Sequence, residues 1–165
     1  MKKIFTLIAL VLVTLAANAQ TGKSIYQKYS DEPFVTAVYI SPAMFRMIGK
    51  LPDVEVGDDD INLAPIIKSL SGFYLIDSEN ADVNASLSKD VSKMLDKGKF
   101  ELLMEVKEDG EKVRMYTAGD DTVVTSFIMH VDEGASATFI FLDGNMLRKD
   151  LESAVAAAVD DDGQR

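Results

Sequence analysis

The chain has no cysteine, no tryptophan and a single histidine among its 165 residues. Without cysteine there is no disulfide framework, no thiolate metal ligand and no thiol nucleophile, so the core alone must hold the fold. Without tryptophan the stacked-indole platforms of many sugar-binding clefts are missing. Basic residues are also outnumbered: 17 Lys and Arg stand against 27 Asp and Glu, a formal net charge of −10. That balance argues against nucleic acid or an anionic membrane surface as partner. No G-x-S-x-G elbow occurs, and Gly22-Lys23-Ser24 lacks the upstream glycine of a phosphate-binding loop.

What is present begins with an address. Met1-Lys2-Lys3 is a basic start, Ile4 to Leu15 is an apolar run, and Ala17-Asn18-Ala19 is a small-x-small site before Gln20. Together they predict a cleaved signal peptide over 1–19. The apolar run falls short of the roughly 20 residues of a spanning helix, so no integral membrane segment is expected after cleavage. With no cysteine to carry an anchor, a lipoprotein is not expected either, and the chain is assigned to the periplasm or the secreted fraction. Cleavage leaves 165 − 19 = 146 residues with a net charge of 15 − 27 = −12. That is the size of one domain, expected over 20–165 with an acidic tail beginning at Asp160-Asp161-Asp162.

Within that domain, 22–30 reads as a short helix closed by Pro33, and 34–40, apolar on both faces, as a buried strand covered on both sides. Ser41-Pro42 opens a helical turn, 50–60 is a polar loop, a second short helix covers 63–70, and 72–76 is a strand. Val83, Leu87, Val91 and Met94 place a helix over about 80–97. Asp109-Gly110 predicts a type I′ hairpin that pairs Val106 with Val113, Met104 with Met115 and Glu105 with Arg114. Strands at 122–131 and 136–142 extend this to a four-strand meander. A turn at Asp143-Gly144-Asn145 then leads to a helix over about 146–159. The fold class is α+β: a mainly antiparallel sheet of about six strands, with the 80–97 and 146–159 helices on one face.

The order of these landmarks resembles a known family. Tyr29, Val38-Tyr39-Ile40-Ser41 with Met44-Phe45, Gly72-Phe73, Phe100-Glu101-Leu102-Leu103-Met104, Glu108-Asp109-Gly110-Glu111 and Leu142-Asp143-Gly144-Asn145 are similar to DUF4252. This is a family of small exported proteins of Bacteroidetes with no assigned activity or functional residues. Many such proteins look like lipoproteins, and the missing cysteine departs from that pattern.

The chemistry-bearing residues have plain structural readings. His130 lies on a strand with no neighbouring partner in sequence, and reads as structural rather than catalytic. Asp58-Asp59-Asp60-Ile61-Asn62 starts like a calcium loop, but Leu63 and Ser69 stand where glycine and glutamate are required. No catalytic, metal or cofactor residue is therefore expected. Asp121-Thr122-Val123 matches an Asp-Thr-aliphatic sequon, making Thr122 a candidate for O-glycosylation. The doubly apolar strands 34–40 and 136–142 make Tyr39 and Phe139 candidates for a partner surface. These readings favour a noncatalytic exported envelope protein that binds another envelope protein. The alternatives are a hydrolase built on paired carboxylates and a carrier of a small apolar ligand.

Overall fold

In the computed structural model, which describes residues 21–48, 64–153 and 156, six strands form one antiparallel sheet with helices around it. The chain runs α1 (Gly22–Tyr29), β1 (Val35–Ile40), α2 (Pro42–Ile48), α3 (Ala64–Ser69), β2 (Leu70–Ser78) and α4 (Ala81–Lys97). It continues through β3 (Glu101–Glu108), β4 (Glu111–Gly119), β5 (Val123–Asp132) and β6 (Ala137–Leu147), then helical turns at 148–153. The expected leader at 1–19, Gln20, the acidic segment at 58–60 and the expected tail at 160–162 lie outside the described residues.

Strand order is β1-β2-β6-β5-β4-β3, so β1, expected to be buried, is instead an edge strand with no fully buried residue, its apolar composition serving an edge rather than a covered centre. The expected meander is present from β3 to β6, and β2 then pairs with β6, so α4 carries the chain from the second strand position to the far edge. The hairpin register follows the sequence reading: Val106 faces Val113, Met104 faces Met115 and Glu105 faces Arg114. Asp109 and Gly110 both take positive φ, 47° and 96°, as a type I′ turn demands.

Side-chain alternation gives the sheet two unlike faces. The first is covered by α1 and α4. Ile25 and Tyr29 from α1, and Val83, Leu87, Val91 and Met94 from α4, close over Tyr74, Ile76, Ile128, Ala137, Phe139 and Phe141. α4 starts where Asn80 Oδ1 accepts from the N–H groups of Asp82 and Val83 at 3.1 and 3.4 Å, which satisfies two otherwise unpaired donors. The reverse face has a smaller cluster at one end, made by Ile66 of α3, Val124, Phe127, Met146 and Leu151.

Leu151 corrects one expectation: the C-terminal helical turns do not share the face of α4. β6 does not stop at a turn near Asp143. It runs on to Leu147, and the pairing with β5 slips between Val124 and Ser126. Plain alternation keeps Met146 on the side of Ile140 and Leu142, and the slip turns its partner Val124 to that side too, so both join the reverse-face cluster and the following helical turns go with them.

Candidate functional site

Each face carries an apolar row that crosses all six strands. On the covered face the registers align Tyr39, Tyr74, Phe141, Ile128, Tyr116 and Leu102. Its first three members, with Tyr26 of α1, form an aromatic cluster. Tyr39 stacks on Tyr74 with ring centroids 4.9 Å apart and planes 23° apart, Tyr26 meets Tyr74 edge-on at 5.6 Å, and Tyr74 lies 5.8 Å from Phe141. Burial, reinforced by the Tyr39 hydroxyl, pushes the Tyr74 phenol up to about 12. Tyr74 is therefore a neutral hydrogen-bonding group at physiological pH, not a base.

The reverse-face row is different in kind. Val38, Leu75, Ile140, Met129, Met115 and Met104 stand in register from one sheet edge to the other. None of the six is fully buried, although the central positions of the covered row are. Met115 and Met129 touch the small cluster around Phe127, and Val38 at the row's end is 39 % exposed. Three methionines side by side make a surface whose unbranched, polarisable side chains can reshape around a contact.

Of the buried polar residues, His130 and Asp90 can ionise in the acid to neutral range. His130 lies on the covered face under α4, its Nε2 3.4 Å from Ser88 Oγ. Burial pushes its pKa down; nearby Asp132 opposes this and Arg114 adds to it. Asp90 of α4 accepts from Lys28 Nζ at 2.5 Å, Tyr29 hydroxyl at 2.9 Å and Lys93 Nζ at 3.3 Å. Burial alone would raise its carboxyl pKa, but the three donors outweigh it and hold the group below the ordinary carboxylate range. Asp90 thus fastens α1 to α4.

A half-open cleft of about 360 Å³ lies between the start of α1, the end of α4 and the ends of β4 and β5. Met94, Phe100 and Phe141 form its apolar part, and Lys97 and Lys99 belong to its rim. Among the described residues that line it there is no carboxylate. Among the described residues no group of three or more His, Asp or Glu could hold a metal ion.

Residues 29–154 match the family described as a domain of unknown function, DUF4252, a span that takes in all six strands. The chain belongs to the DUF4252 family. No curated protein and no solved structure matches it.

In this DUF4252 domain the sequence-derived candidates part company. Tyr39 is 46 % exposed at the rim of the covered face, where its ring is stacked on Tyr74. Phe139 is fully buried and cannot meet a partner. It sits on β6, the third of the six strands, opposite Ile76 and His130 and under α4, so both its neighbours and its face are covered. Thr122 lies in the exposed β4–β5 turn, held by Asp120 Oδ1, which accepts the N–H groups of Thr122 and Val123 at 2.8 Å each. Sequence reasoning missed the methionine row and the Asp90 cluster. The hairpin register already paired Met104 with Met115, and alternation put Met129 on a face with Phe127; the missing step was the β4–β5 pairing. Among the described residues no helix is long and apolar enough to cross a membrane.

Proposed function

We propose that this domain is a noncatalytic exported protein of the cell envelope that works by contact with another envelope protein. The observation that carries this reading is the reverse-face row of Val38, Leu75, Ile140, Met129, Met115 and Met104, an apolar stripe in which no member is fully buried. Apolar side chains left partly exposed across a whole sheet suit an interaction surface, and methionine suits one that adapts to its partner. The sequon at Thr122, in an exposed turn away from that row, is the proposed O-glycosylation position.

Export rests on the 1–19 leader, and N-terminal mass spectrometry of the exported pool should find the chain starting at Gln20. An uncleaved Met1 there would end the export reading. The contact is tested by photo-crosslinking in cell-envelope extract with a probe at Met104. A discrete crosslinked protein is expected, lost when Met115→Lys places a charge in the row of a protein that still folds. Capture that is indifferent to Met115→Lys in a folded protein would refute this face as the surface.

A further inference from the structure

The two outer strands are guarded very differently. β3 carries Glu101, Glu105, Lys107 and Glu108 and an irregular register between Leu102 and Met104. Charges and a bulge of this kind blunt an open strand edge against pairing. β1 reads VTAVYI, with no charge, no proline and an unbroken register from Val35 to Ile40. Just before it, Phe34 holds φ at 60° with its side chain 79 % exposed. That backbone region is costly for a bulky residue. It is retained by Glu79 N–H donating to Phe34 C=O at 3.1 Å and Asn80 Nδ2 donating to Pro33 C=O at 3.3 Å. Holding an apolar ring in water by a strained backbone gives the isolated domain nothing.

The Glu79–Phe34 bond also sets the parity of β1. It marks that position as a hydrogen-bonded pair with β2, and the register continues without a slip. Thr36, Val38 and Ile40 therefore turn their backbone groups to β2, while Val35, Ala37 and Tyr39 turn theirs to the open edge. Among the described residues no strand lies beyond β1.

We propose that β1 pairs with β1 of a second copy of this chain, antiparallel about a two-fold axis at Ala37, joining two six-stranded sheets into one. The strand is complementary to itself in that register. Ala37 meets Ala37, Val35 meets Tyr39, Thr36 meets Val38, and the exposed Phe34 meets Ile40. The outward residues Val35, Ala37 and Tyr39 oppose one another, giving about six backbone hydrogen bonds, two for each of three pairs. No like charges are brought together, whereas β3 paired with itself would bring its carboxylates into one seam. The two-fold also brings the acidic Asp31-Glu32 lead-in of one copy to the end where the other presents Arg46, a complementary charge. A contact built on one short strand is at the small end of specific interfaces, so the dimer is weak and reversible. The net negative charge repels the copies at long range, and added salt should strengthen pairing.

The inference goes beyond the partner contact proposed above and is tested without any other protein. The full chain, as processed by the cell that expresses it, is followed by sedimentation and residue-resolved amide exchange from low micromolar to near-millimolar concentration. A monomer–dimer equilibrium is expected, with the Val35, Ala37 and Tyr39 amides slowing as concentration rises and those of Thr36 and Val38 protected throughout. Phe34→Gly relieves the positive φ and should fold at least as well as the parent. Ala37→Pro removes only an outward N–H on an edge strand. Each should weaken dimerisation by about tenfold or more, the loss of roughly one good contact. The proposal is overturned by a chain that stays monomeric throughout, or by a dimer that leaves those amides unchanged or survives both variants. It is equally overturned if the three amides are protected at every concentration, which would mean that a segment of the same chain seals the edge.

Discussion

At His130 burial and titration pull against each other. The imidazole is 5 % exposed, and burial lowers its pKa from the ordinary 6.5. As pH falls below about 6.5, the unfolded chain takes up a proton that the folded chain refuses, so folding loses stability until the depressed folded value is reached. Thermal melting should therefore fall through this window in the parent and be flatter in His130→Gln. An unchanged slope would show that other groups govern it. Nothing near His130 in sequence announces Ser88, which is 42 positions away on another element, and tertiary partners of this kind are set by packing alone. Gly110 is the opposite case, since its requirement is local. A Cβ there would meet nothing within 4 Å, yet φ is 96°. Gly110→Val should cost on the order of 1 kcal/mol or more through the backbone alone, whereas Gly110→Asn should be milder. Equal chemical-denaturation midpoints for both variants would refute the turn geometry.

At the level of elements, those with strong periodicity or a committed turn were legible: α4, the β3–β4 hairpin and the meander all stand where the pattern puts them. β6 was not. Asp143-Gly144-Asn145 has turn composition, but Gly144 lies inside the strand opposite Leu70, and a Cβ there would approach Ser69 C=O to 2.5 Å. The glycine lets two backbones come close, a need that leaves the same local signature as a turn. Gly144→Ala should therefore destabilise the fold by about 1–3 kcal/mol through overpacking. Melting measurements check this, and a neutral Gly144→Ala would favour a turn after all. The cap of α4 gives a smaller effect of the same kind, with Asn80→Ala expected to cost about 1 kcal/mol.

Among the described residues the sheet has one face sealed and the other half sealed, and the first seal depends on α1 staying in place. α1 has only eight residues, too few to be helical by itself, so its position is a tertiary property. Ile25 and Tyr29 anchor it from below, and Lys28 and Tyr29 tie it to Asp90 on α4. Sequence periodicity could find both helices but not this link, because a lysine and an aspartate 62 positions apart carry no pairing signal. The link gives the fold an acid limit. With the folded pKa of Asp90 below the ordinary 3.8, its contribution is fully present above that value and is lost as pH falls through the folded one. Asp90→Asn keeps acceptor capacity but removes the charge. At neutral pH it should cost about 1–2 kcal/mol, the range of a hydrogen bond to a charged group reduced for the solvent around Lys28. Once pH has fallen through the depressed folded value and Asp90 is itself protonated, parent and Asp90→Asn should converge. If Asp90 is the link, α1 amides should also exchange faster in Asp90→Asn at neutral pH while those of β4 and β5 stay protected. A stability gap that persisted undiminished into acid would mean that the carboxylate's charge is not what holds α1 down.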